Sequence, residues 1–262
     1  MVTAWIKGLL FTVLALASAI APTSRHLTIA GATSTLAYLR DTVGGFERSH
    51  PGYTVSLAGG GSVAGLVEVS RGRADVGVSD IPPRAEWTSG VHLQVMPLGR
   101  LPILFVAHPG TGVHNLTTTE LRAVLDGRTR SWKSVGGRPV PIVVMTRPLA
   151  SGALSVVDRE MMGGRRITSQ AIVQLSNGAT LAGVRETPGA VGFVESGVIP
   201  RGVTVLGVGG RHFSPKRGAE WPWYAEPSLY VRPEAPSIVH DLVRYLGSHP
   251  NRTRYGIYGS AS

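Results

Sequence analysis

Cysteine is absent from all 262 residues. That excludes disulfides, thiolate metal sites, a cysteine nucleophile and a lipid-modified N-terminal cysteine. The compartment therefore cannot be read from redox chemistry. Aromatic residues are scarce, with five Phe and five Trp, so little is available to stack on bases. Basic residues never form a run of five; the richest cluster is Arg122–Lys133 (RAVLDGRTRSWK). Dispersed charge without stacking platforms argues against a nucleic-acid partner. The eight histidines form no H-x-H or H-E-x-x-H pair, and no G-x-S-x-G elbow occurs. The Gly61-Ser62 turn lacks the lysine of a phosphate-binding P-loop. Metal-dependent and serine hydrolases thus lack their usual signatures, and neither cofactor nor metal is expected.

What is present describes an ordinary globular chain. Hydrophobic residues make up 43% and charged residues 16%, enough to bury a real core in one large domain or two lobes. The formal charge is +10. An N-terminal stretch runs from Lys7 through the apolar Gly8–Ala17 to small residues at Ala17-Ser18-Ala19. This is the layout of a cleavable secretory leader occupying about residues 1–21, with the cut favoured after Ala19. The apolar run is shorter than the ~20 residues of a membrane-spanning helix, which disfavours an uncleaved anchor. Loss of Lys7 with the leader leaves 25 basic residues against 16 acidic ones, a net charge of +9. Such an excess favours anionic partners.

The stretch Leu57–Pro83 (LAGGGSVAGLVEVSRGRADVGVSDIPP) organises the rest. It reads as a strand end, a triple-glycine turn, a helix with Ser62 at its N-cap, a stop at Gly72, and a strand Ala74–Ser79 delivering Asp80. Before it lie a strand His26–Ala30, the polar turn Gly31–Thr35, and a helix carrying Leu36, Leu39, Val43 and Phe46 on one face. Gly44-Gly45 is expected to bend or shorten that helix. Tyr53–Leu57 is the next strand. Strand, helix, strand, helix, strand implies a mainly parallel sheet with Thr33-Ser34 and Gly61-Ser62 at carboxyl ends of strands, where such sheets bind ligands.

Leu101–Ala107 (LPILFVA) and Ser228–Val231 (SLYV) read as buried strands suited to crossing between two halves. Between them the pattern gives a helix from Leu116 to Leu125 stopped by Gly127, and a strand Pro139–Thr146 ending at Arg147. A helix Ser151–Met162, a helix Ala179–Arg185 and a strand Gly189–Val194 follow, and Ala235–Leu246 closes the chain as a helix. The expected division is 25–100 plus 228–262 for lobe 1 and 101–227 for lobe 2.

These motifs, taken in order, resemble the phosphate-binding proteins of bacterial ABC transporters. The resemblance rests on IAGATSTL (Ile29–Leu36), GGGSVAGL (Gly59–Leu66), ADVGVSD (Ala74–Asp80), LTTTELRAVLDGRTRSWKSVGG (Leu116–Gly137), RPLASGA (Arg147–Ala153), PGAVGFV (Pro188–Val194) and EPSLYV (Glu226–Val231). It implies an α/β, two-lobed periplasmic-binding-protein-like fold with two crossing hinge strands. It also implies phosphate ligands at Thr33, Ser34, Ser62 and Asp80 on one wall, and at Arg147, Ser151, Gly152 and Ala153 on the other. Two positions depart from the family pattern. Ala153 replaces a threonine, and Leu149 stands where many members place an acid beside the arginine.

The chemistry suits a proton-bearing tetrahedral anion. Helix N-termini and hydroxyls supply donors, and Arg147 adds a fork that can hold two oxygens. Asp80 accepts from a protonated phosphate but meets fully ionised sulfate lone pair against lone pair. The expected function is an extracytoplasmic, monomeric solute-binding protein, not an enzyme, delivering inorganic phosphate to membrane permease subunits. The alternatives are another oxyanion (sulfate, molybdate or tungstate), a secreted phosphate-ester hydrolase, or a sensing module on the same fold.

Overall fold

Residues 25–259 are described in a computed structural model, so the expected leader lies outside the described residues. The first sheet begins with β1 (Arg25–Gly31), followed by α1 (Leu36–Ser49), β2 (Tyr53–Gly59), α2 (Ser62–Ser70) and β3 (Val76–Ser79). β1 pairs with both β2 and β3 in parallel, the βαβ arrangement expected from alternating strand and helix patterns. A short α3 (Ala85–Thr88) leads to β4 (Gln94–Pro97).

α1 does not stop at Gly44-Gly45 as its sequence suggested; it runs on to Ser49. The reason is packing. A Cβ on Gly45 would lie 2.2 Å from the Tyr245 hydroxyl, so the missing side chain lets the closing helix approach. Phe46 is fully buried there, edge-on to Tyr245. Tertiary contact outweighs the local cost of glycine.

The chain next enters β5 (Leu101–Ala107), buried along its whole length. β6 (Asn115–Leu116) and α4 (Thr118–Leu125) follow, with Thr117 and Glu120 forming a reciprocal capping box. β7 (Val143–Thr146) is shorter than the expected strand. Pro139 and Pro141 lack the N–H that a longer ladder would need. α5 (Gly152–Val156) is also short and passes into a π-helical turn, Val157–Met161, rather than continuing as one α-helix to Met162. β8 (Ile172–Val173), α6 (Asn177–Glu186), β9 (Ala190–Glu195), β10 (Thr204–Val205), β11 (Gly207–Val208) and β12 (Tyr224–Ala225) complete this part. The sheet order is β10-β5-β9-β7-β8, with β12 also on β5.

β13 (Ser228–Val231) returns to the first sheet between β3 and β4, and α7 (Ser237–Ser248) covers it. Each sheet has its own core. Ile29, Val76, Val78 and Leu229 pack with Leu39, Phe46, Leu242 and Leu246 in the first. Ile103, Phe105, Val191 and Phe193 pack with Leu121, Val124 and Trp132 in the second.

The passages between the two cores are short. Leu101 packs in the first core, whereas Ile103 on the same strand packs in the second. On the return, Ala225 belongs to the second core and Leu229 to the first. The two passages lie side by side, tied by the Leu98 N–H donating to Pro227 O at 2.9 Å. A third contact comes from the C-terminal segment. Tyr258 exchanges backbone hydrogen bonds with Arg100, and its hydroxyl donates to Gly197 O at 2.5 Å.

Candidate functional site

The loops after β1, β2 and β3 meet at Asp80. Ser34 Oγ donates to Asp80 Oδ1 at 2.7 Å, and Ser62 Oγ donates to Oδ2 at 3.2 Å. The Asp80 N–H donates back to Ser62 Oγ at 3.0 Å. Ser62 is fully buried, and Asp80 is buried with it. Ser62 is not the N-cap expected from sequence. Gly61 takes that position at φ 89° and ψ 169°, and Ser62 is the first helical residue. The glycine accepts the left-handed backbone, which frees the serine hydroxyl to engage Asp80.

Thr33 is half-buried in the same turn, with its methyl group facing Gly59. The adjacent Thr35, which sequence reasoning passed over, is the N-cap of α1 and is 1% exposed. Its Oγ1 is buried without a hydrogen-bond partner. A buried hydroxyl left in this state costs about 1–3 kcal/mol, so such an atom marks a place where a further acceptor would be welcome.

The opposite wall is built from the ends of β7 and β9 and the starts of α5 and α6. Arg147, just past β7, is buried and donates through Nη1 to Asn177 Oδ1 at 2.6 Å. The same Nη1 lies 3.6 Å from Glu195 Oε2. Asn177 stitches this corner together: its Nδ2 donates to Glu195 O at 3.2 Å, and the Glu195 N–H donates to its Oδ1 at 3.4 Å. The Nε of Arg147 is buried without a partner. Ser151 occupies the N-cap of α5 and is buried, and Gly152 and Ala153 form the helix's first turn. Leu149 is 91% exposed.

Arg147 therefore does have an acidic neighbour, although not at position 149. Glu195 and Asn177 were both missed from sequence. The available signal was the acid closing the GAVGFVE strand at its carboxyl end, where parallel strands present functional groups.

The two walls touch. A Cβ on Gly152 would lie 2.4 Å from Asp80 Cβ and 3.0 Å from Ser62 Oγ. The Val63 N–H donates to Ala150 O at 3.4 Å, which links α2 to the loop before α5. Seven of the eight residues anticipated from sequence, all but Thr33, thus gather directly along this closed seam or at its edge.

Burial dominates the electrostatics. It pushes Asp80 up to about 7, helped by the charge of Glu195 and opposed by the Ser34 and Ser62 hydroxyls and by Arg147. Burial also raises Glu195, against the Arg147 charge, the Asn177 side chain and the backbone N–H of Ala153. With all three groups ionised, two carboxylates face one guanidinium. The seam can thus hold a proton near neutrality, alongside hydroxyl and guanidinium donors. Among the described residues no group of three or more His, Asp or Glu is placed to hold a metal ion.

Comparison with known proteins gives this geometry its context. The chain is 26% identical over 231 residues to the phosphate-binding protein PstS of Bacillus subtilis, covering 86% of this chain and 76% of that one. Its fold is similar to a putative phosphate ABC transporter substrate-binding protein with bound phosphate from Clostridium perfringens. That match has a TM-score of 0.78 and 18% identity over 85% of this chain and 93% of the other. An ABC-type phosphate transport receptor from Vibrio cholerae matches with a TM-score of 0.70 and 23% identity, over 89% and 99% of the two chains. The model of the PBP superfamily domain matches residues 16–214, and the chain belongs to that superfamily.

Proposed function

We propose that this chain is an extracytoplasmic solute-binding protein that captures inorganic phosphate between its lobes and presents it to an ABC permease. One observation carries the reading. A buried carboxylate, Asp80, is gathered with two serine hydroxyls on one wall and faces a buried guanidinium, Arg147, on the other. Phosphate near neutral pH carries both oxygens that accept and a hydroxyl that donates. Donors at Arg147, Ser151 and the α5 first turn answer the former, Ser34 and Ser62 join them by turning their hydroxyl protons from Asp80 to the anion, and Asp80 answers the latter. Thr33 belongs to the same set through its turn. The relatives named for phosphate binding support the same ligand.

Sulfate, molybdate and tungstate are less suited, because an ionised Asp80 repels an anion that has no proton to share. We read the arrangement as serving binding rather than catalysis, in line with the relative named as a phosphate-binding protein. A monomer suffices, since both walls come from one chain. Transport requires an exported protein, which is the role of the leader read at residues 1–21.

The test is calorimetric titration of the mature protein with phosphate and with sulfate, on wild type and Arg147→Met. Phosphate should bind wild type at least about tenfold more tightly than sulfate, a difference of about 1.4 kcal/mol, and Arg147→Met should lose most of that binding. Equal binding of the two anions, or an unaffected Arg147→Met protein, would refute the assignment.

A further inference from the structure

The Glu195 carboxylate stands beside the donors that the proposed anion would need. It faces the Arg147 guanidinium at 3.6 Å and the backbone N–H of Ala153 in the first turn of α5. It is 6% exposed, so water does not screen it. Asn177 fixes the backbone of Glu195 and the guanidinium of Arg147 in one frame, so neither can drift from the other. The charged groups facing Glu195 are Arg147 from the end of β7 and Asp80 across the seam. β5 contributes only the apolar run Leu101–Ala107, α5 contributes the Ala153 amide, and α6 contributes Asn177.

We propose that Glu195 is an internal competitor for the anion: ionised, it holds Arg147 and the α5 amide for itself, and phosphate takes them when Glu195 accepts a proton. This rests on phosphate being the ligand. The physical reason is a charge count. One buried guanidinium can neutralise one carboxylate, and Asp80 already adds a second. A phosphate dianion entering beside two ionised carboxylates would stand uncompensated in a site closed to water, a state that proteins relieve by protonation. Burial already favours the neutral form of Glu195. The proton comes from solvent, so binding takes up about one proton per phosphate when the free protein is ionised at this position.

The consequence is an affinity that rises as pH falls, with the sign set by Glu195. Glu195→Gln mimics the protonated side chain in size and in polarity. At about pH 8.5, where free phosphate is the dianion, calorimetry in two buffers of different ionisation heat should show uptake approaching one proton by wild type. The Glu195→Gln protein should show markedly less uptake and about tenfold tighter binding. The difference between the two proteins should shrink as the pH is lowered towards about 6, because burial raises Glu195. The wild-type proton count needs no variant. Phosphate binding without proton uptake would overturn the inference while leaving the ligand intact. Weaker binding by Glu195→Gln at both pH values would also overturn it, because the carboxylate would then be helping Arg147 to bind. Absence of phosphate binding to wild type at any pH would remove the functional reading itself.

Discussion

Asp80 holds its carboxyl where water cannot reach it, and that burial makes it the residue whose titration reports on the site. Its folded-state value, about 7, lies above the ordinary value of 3.8, so folding favours the protonated form. The stability this provides is complete below about pH 4 and is lost as pH rises through about 7. In phosphate-free buffer, wild type should lose on the order of a few kcal/mol across that window relative to Asp80→Asn. Denaturant unfolding of both proteins from about pH 4 to 8 checks this. Parallel stability curves would contradict it. Asp80, Ser34 and Ser62 were legible in the sequence because each lies within three residues of a strand end, and strand ends are fixed by short-range pattern. Glu195 was not, since an acid after an apolar strand carries no local mark of what it faces. Its partner Arg147 lies 48 positions earlier in the chain.

At the level of elements, sequence periodicity located strands better than helix ends. β5 and β13 match their expected bounds residue for residue, because uninterrupted apolar runs flanked by turn signals leave little choice. α1 outran its glycines through contact with Tyr245, and the helix after Ser151 broke into a π-helical turn; neither outcome is encoded within the segment itself. Ser62 shifted by one position from cap to first turn because Gly61 alone tolerates the capping geometry. Two glycines show how closely elements approach. Gly152→Ala would force the α5 start away from Asp80, where its Cβ would otherwise lie 2.4 Å from Asp80 Cβ. It should weaken phosphate binding at least about tenfold, measurable by calorimetry, because the two walls can no longer meet at their present separation. Gly197 lies against Gly256, with room for no Cβ: one would sit 2.0 Å from Gly256 O. Gly197→Ala should therefore destabilise by about 1–3 kcal/mol through overpacking, measurable by chemical unfolding. An unchanged unfolding midpoint would show that the C-terminal segment does not brace this corner.

Among the described residues, the two cores are linked by short passages, Leu101–Ile103 and Ala225–Leu229, with the Tyr258 and Gly197–Gly256 contacts beside them and the Val63–Ala150 bond across the seam. Few residues need to change conformation for the walls to part, the usual condition for hinge closure around a ligand. The seam buries donors from both lobes, so an anion bound there ties closure to recognition. X-ray scattering should accordingly show wild type becoming more compact on phosphate addition, and Gly152→Ala should not follow. The central claim is that the closed seam recognises an anion by its proton, through Asp80. Its most direct test is calorimetric titration of phosphate and sulfate into wild type and Asp80→Asn at about pH 8.5, above the Asp80 value of about 7. The account predicts that the preference of wild type for phosphate falls by about tenfold or more in Asp80→Asn, with sulfate gaining as the like-charge repulsion disappears. An Asp80→Asn protein that kept the full wild-type preference would contradict it.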